Sequence, residues 1–228
     1  KDLSIYVVSV GFTEAVTCFK VHPLPVRFNP KDADIDTIEG LIDEEPKPIK
    51  SAFLEGAPPA VVYDGGVMPF SVNIMIENVG EFDIASDNVK VTIVGVDPSE
   101  FGANNEILIT ESIDGKSFGP EHNVVPGGIV YADLGSPPWN FAGDVSGDIN
   151  YPFRADICYR YGTASQGFLC IKEDLTDSDA TTGDPICLAN EAKIIENSGA
   201  PIHILNLAES AAGSDTIAFT FEISHRGS

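Results

Sequence analysis

The chain has 228 residues, 43% of them hydrophobic, and 13 Lys and Arg against 35 Asp and Glu give a formal net charge of −22. That length accommodates one generous core or two modest ones, and the apolar content is too high for a disordered chain. The acidic surface repels phosphate backbones and anionic lipids, and no apolar run approaches the roughly 20 residues of a membrane span.

In chain order, Lys1-Asp2 leads straight into Leu3-Ser4-Ile5-Tyr6-Val7-Val8, without the layout of a signal peptide. The expectation is a targeting segment that was removed upstream or never present. Strands are expected near 3–10 and 17–22. Residues 32–45 place Ile35, Ile38 and Ile42 on one stripe, enough for a turn or two of helix. After a strand near 60–63, residues 69–80 alternate Phe70, Val72, Ile74 and Ile76 against Ser71, Asn73, Met75 and Glu77. This is a half-buried strand ending in an Asn78-Val79-Gly80 turn. Residues 88–96 repeat the pattern with Val89, Val91 and Ile93. Further strands are expected near 105–110, 127–134, 153–161, 167–172, 202–207 and 216–224. Sixteen prolines and 21 glycines punctuate these runs at intervals that suit an antiparallel β-sandwich. The fold class is all-β.

Four cysteines, Cys18, Cys158, Cys170 and Cys187, are an even number without the close spacing of a zinc site. Two disulfides in an oxidising compartment are the preferred reading, with three pairings open. Cys158 and Cys170 flank an expected hairpin turn, and Cys170 and Cys187 bracket an acidic loop.

The sequence also echoes itself. Gly56-Ala57-Pro58 introduces a stretch that leads to the alternating run Phe70–Gly80. Gly199-Ala200-Pro201 introduces another that leads to Phe219–Gly227. Each block reads as an entry turn, a strand, a loop, an alternating strand and a turn ending in Gly. A lone pair of strands buries no core, so the second block must continue, pack back on the chain, or complete a neighbouring copy.

The segment Pro58–Phe101, with its Pro-Pro and Tyr-Asp-Gly entry and a strand ending Asn-Val-Gly, resembles the Ig-like, CARDB-related domains of archaeal surface proteins. Asp156-Ile-Cys-Tyr-Arg-Tyr-Gly-Thr163, followed by Cys170-Ile171 and Cys187, is similar to a three-cysteine block of the same proteins, although position 160 carries Arg where that pattern has Pro. The resemblance spans residues 56–228. It implies an Ig-like sandwich, a cell-surface location and no catalytic residues to carry over. The expected layout is therefore N-terminal strands plus an acidic linker over 1–50 and an Ig-like sandwich with disulfide-bearing loops over 51–198. Residues 199–228 would be the first two strands of a second Ig-like unit, or a segment donated between subunits.

Catalytic chemistry is not expected. The four histidines are scattered, and no Gly-x-Ser-x-Gly elbow frames a nucleophile. Calcium is the one cofactor with support: Asp174, Asp177, Asp179 and Asp184 crowd a short loop, and hard carboxylate oxygens at that density suit the ion. Asp144 and Asp148 are a second candidate. Trp139, beside Pro137-Pro138, reads first as a structural loop anchor and second as a carbohydrate platform; with Phe141 and Tyr151 it is a candidate for exposed aromatics that bind a polysaccharide or another cell-surface ligand.

The expectation is therefore a non-enzymatic extracellular structural protein. It would self-associate into a homopolymer as a repeating subunit of a surface filament or surface layer, held by β-strand exchange and disulfides. Residues 1–10 or 199–228 would cross between subunits. The alternative is an adhesive or ligand-binding Ig-like module of a longer surface stalk.

Overall fold

Apolar residues on one side of each alternating strand leave water only against a second layer, so paired sheets are the natural outcome. The computed structural model describes residues 4–28, 48–120, 123–171, 191–213 and 216–226, with backbone alone for 4–28 and 170–171. The chain is all-β. Its strands are β1 (Ser4–Phe28), β2 (Ile49–Phe53), β3 (Val61–Val62), β4 (Asn73–Asn78), β5 (Val89–Val94), β6 (Glu106–Ile109) and β7 (Ser117–Phe118). They continue with β8 (Val124–Val125), β9 (Ile129–Asp133), β10 (Ile149–Ile171), β11 (Glu191–Ala192), β12 (Ile195–Asn197), β13 (Ile202–Ala211) and β14 (Ile217–His225). One 3-10 turn, Pro98–Phe101, is capped by Asp97, whose carboxylate accepts from the backbone N–H and hydroxyl of Ser99. Those two bonds hold the Asp97 carboxyl below the usual carboxylate range.

The sheets run β3-β1-β10-β5-β6, with β12 also on β10; β2-β4-β9; β11-β13-β14; and the pair β7-β8. β1 and β3 pair in parallel, through Arg27–Val61 and Phe28–Val62. The chain divides into two compact units, a larger one over 16–161 and a smaller one from the described parts of 1–15 and 162–227. β1 and β10 each contribute one stretch to both units.

In the larger unit β4 pairs Ile74 with Ala132 and Ile76 with Val130 of β9, while β5 pairs Val91 with Ile157 and Ile93 with Ala155 of β10. All eight side chains are buried, as the period-two alternation requires. The chain leaves β5 at Gly95, where φ is +88° and a Cβ would overlap the carbonyl oxygen of Pro152. Only glycine fits there. Phe70, Phe101, Trp139 and Phe153 fill one region of this core, with ring centroids 5.4–6.5 Å apart in mostly edge-on pairs.

The smaller unit sets β11-β13-β14 against the second stretch of β10 with β12. Ser165, Gly167 and Leu169 of β10 share one apolar lining with Ile204 and Leu207 of β13 and Phe219 of β14. β13 carries an irregularity between Leu205 and Ala208, and Asn206 inside it has φ +54°.

Two expectations need correction. The strands expected near 3–10 and 17–22 are one continuous strand, β1, and those near 153–161 and 167–172 are one strand, β10. No hairpin turn therefore separates Cys158 from Cys170. Strand residues advance about 3.3 Å each, so two cysteines this far apart on one strand do not meet the close Cα spacing of a disulfide. The helical turns expected over 32–45 lie outside the described residues.

Candidate functional site

The residues singled out by the sequence fall in different places. Asp174, Asp177, Asp179, Asp184 and Cys187 lie outside the described residues. Asp144 and Asp148 are exposed, and among the described residues no group of three or more His, Cys, Asp or Glu could hold a metal ion. Cys158 is disulfide-bonded. Its partner is not Cys170, by the strand argument above, and the side chains of Cys18, Cys170 and Cys187 are not described.

Trp139 does not present a ring to a ligand. It is fully buried, its main chain bonds Phe70 in both directions at 2.8 and 2.9 Å, and its indole Nε1 donates to the Leu134 carbonyl at 2.8 Å. Phe141 is buried beside Phe101. Tyr151 is half-buried, with its ring 5.2 Å from that of Phe101 and its hydroxyl donating to Glu100 Oε2 at 2.9 Å. The physical reason is shared: an aromatic beside prolines in a sandwich gains more by filling the core than by facing water.

A polar knot of the larger unit was signalled only as a turn. Asn78 ends β4 fully buried, with Nδ2 donating to the carbonyls of Phe82 (2.7 Å) and Ile113 (3.3 Å). Its Oδ1 accepts from Gly80 N–H at 3.2 Å and from the Tyr161 hydroxyl at 3.4 Å. The Tyr161 oxygen in turn accepts from Phe82 N–H at 3.1 Å. Gly127 lies so close that a Cβ there would strike the Asn78 carbonyl oxygen.

Three tyrosines feel this burial. Desolvation, with the bond to Glu100 added, pushes Tyr151 up to about 12. Desolvation also pushes Tyr161 up to about 12, against the lowering effect of the Phe82 N–H bond, and it raises Tyr159 further with help from Tyr161. The folded state therefore holds protons that the unfolded chain releases near pH 10. Their contribution to stability is complete below about pH 10 and is lost as the pH rises towards 12. Absorbance at 295 nm at pH 11 should show fewer tyrosinates in the native protein than after denaturant is added. All six tyrosines titrating together near 10 in the folded protein would contradict these environments.

In the smaller unit, the apolar lining between the layers encloses about 20 Å³. That is room for about one water and far below the ~300 Å³ of a small-molecule site. Its more telling feature is the strand beside it. β14 is an edge of its sheet among the described residues. Phe219 is 45% exposed and Ile223 54% exposed on the same face of that strand.

A second cluster was invisible in the sequence: Glu191, Lys193 and Glu209 meet in the smaller unit. The one available signal was Asn206, a residue that tolerates left-handed backbone and so permits the irregularity that turns Glu209 inward.

No protein-family model, no curated protein and no solved structure matches the chain.

Proposed function

We propose that the chain is a non-enzymatic extracellular structural protein, a subunit that polymerises into a surface filament or layer by adding strands between copies. The observation that carries this reading is a difference between the two echoing blocks. In the first, Val72 just before β4 and Ile74 and Ile76 on it are 0% exposed, and β4 lies between β2 and β9. In the second, the corresponding Phe219 and Ile223 remain about half exposed on β14, an edge strand among the described residues. The same alternating pattern has its apolar face covered in the first block and about half exposed in the second, where the strand also ends its sheet among the described residues.

A second copy is the occupant this edge fits. In a chain of net charge −22, residues 216–226 hold a single acidic residue, Glu222, together with His225 and Arg226. Strand addition there brings no block of like charge together. Edges that must stay single usually carry Lys, Pro or an inward charge, and the Phe219–Ile223 face has none of these. Between the two crossing segments considered, β14 is favoured on the exposed apolar face that Phe219 and Ile223 present. The Cys158 disulfide supports an oxidising location, where such bonds persist.

Light scattering and negative-stain microscopy of the full chain test this reading. Long ordered polymers are expected, and Ile223→Lys should reduce them to small species while the circular dichroism spectrum stays that of the parent. Dissolution by EDTA would add calcium as a joint. A monomer or closed dimer at all concentrations would overturn the reading in favour of a stalk module.

A further inference from the structure

Glu191 of β11 and Glu209 of β13 stand directly opposite each other in the sheet, an arrangement in which two carboxylates repel. Lys193 Nζ lies against both, 2.7 Å from Glu191 Oε1 and 3.3 Å from Glu209 Oε2. The Glu209 side chain is 0% exposed and that of Lys193 7%, whereas Glu191 is 40% exposed. The backbone N–H of Lys193 donates to the Leu207 carbonyl at 2.7 Å, which pins the lysine beside β13. An amine and a carboxyl are thus held in contact away from water, and a second carboxyl touches the same nitrogen and reaches solvent.

We propose that Lys193 and Glu209 become joined by an amide bond between Nζ and Cδ, with Glu191 as the proton carrier. One proton passed from Nζ to the Glu209 carboxyl leaves a neutral amine and a neutral acid. These are the forms that react. The nitrogen lone pair adds to Cδ, and Glu191 removes a proton from the nitrogen. Glu191 then delivers that proton to the departing hydroxyl, the C–O bond breaks, and water leaves towards the exposed side. Amine plus acid gives amide plus water, Glu191 is restored, and nothing is oxidised or reduced. The ion pair holds Nζ against the Glu209 carboxyl, and that fixed placement replaces a bimolecular encounter. The product is a neutral cross-link that ties the segment after β11 to β13 and closes the chain between them. It would withstand reduction, unlike the Cys158 disulfide, and it does not depend on the assembly reading.

Intact mass spectrometry of the folded full chain, then denatured, reduced and alkylated, tests this. The wild-type chain should be one water lighter than the sum of its alkylated residues. Trypsin should fail to cut after Lys193, with the deficit mapping to the fragment that contains both 193 and 209. Lys193→Arg should restore the full mass. Glu191→Gln should keep the parent's circular dichroism spectrum and lose the water more slowly after refolding. A full residue mass in the folded wild-type chain overturns the proposal, as does a missing water that maps to any other pair.

Discussion

Replacing Trp139 by alanine is expected to cost about 3–5 kcal/mol of unfolding free energy, the range for truncating a buried tryptophan. The indole has no exposure and packs edge-on at 5.4 Å from the Phe153 ring and tilted at 5.6 Å from that of Phe101. Both of those neighbours are themselves fully buried, so little around the site can collapse into the space left behind. The Nε1 donor to Leu134 disappears as well, and that carbonyl belongs to a buried residue. Trp139→Phe keeps most of the ring and loses the donor, so it should cost less. Denaturant titrations of the two variants against the parent check this. As a surface reference, Phe118→Ala should change stability by less than about 0.5 kcal/mol, since Phe118 is exposed on β7. A Trp139→Ala cost as small as that of Phe118→Ala would remove Trp139 from the core.

The second large effect is expected at Asn78. Asn78→Ala deletes four side-chain hydrogen bonds in one step. Two of the affected groups keep other partners: the Ile113 carbonyl still accepts from Ile84 N–H at 2.9 Å, and Gly80 N–H still donates to the Pro48 carbonyl at 3.1 Å. The lasting losses are the donor to Phe82 and the acceptor for Tyr161, so the cost should be about 2 kcal/mol rather than the sum of four bonds. Because Tyr161 also receives the Phe82 N–H, Asn78→Ala and Tyr161→Phe should not be additive. A double-mutant cycle should return a coupling of about 0.5–3 kcal/mol, as expected of residues in one network. Strict additivity would mean that the turn holds without the knot.

The alkaline titration and these two variants address the larger unit. The Ile223→Lys and mass measurements address the smaller one. Failure of the polymer test leaves the amide test intact, since one concerns an exposed edge and the other a buried contact.

The sequence by itself determined the elements whose cause is local. Alternation alone placed Val72, Ile74 and Ile76 inward at and just before β4, and Val89, Val91 and Ile93 inward on β5, because a strand sends successive side chains to opposite faces. Strand pairing across long separations was not legible, nor was strand length. The stretch between 161 and 167 read as a hairpin turn, yet β10 runs through it, since pairing with neighbouring strands holds a glycine that local preference disfavours. Trp139 beside Pro137-Pro138 already read as a structural anchor, and only the tertiary structure showed the rings it packs among, because that depends on which loops converge on it. Only the tertiary structure brought Glu191, Lys193 and Glu209 together. The β13 irregularity at Asn206 shifts the alternation by one and turns a residue that strict period two would place outward into the interior. The phase of a strand is a local property until a bulge interrupts it; beyond the bulge it is set by what the sheet packs against.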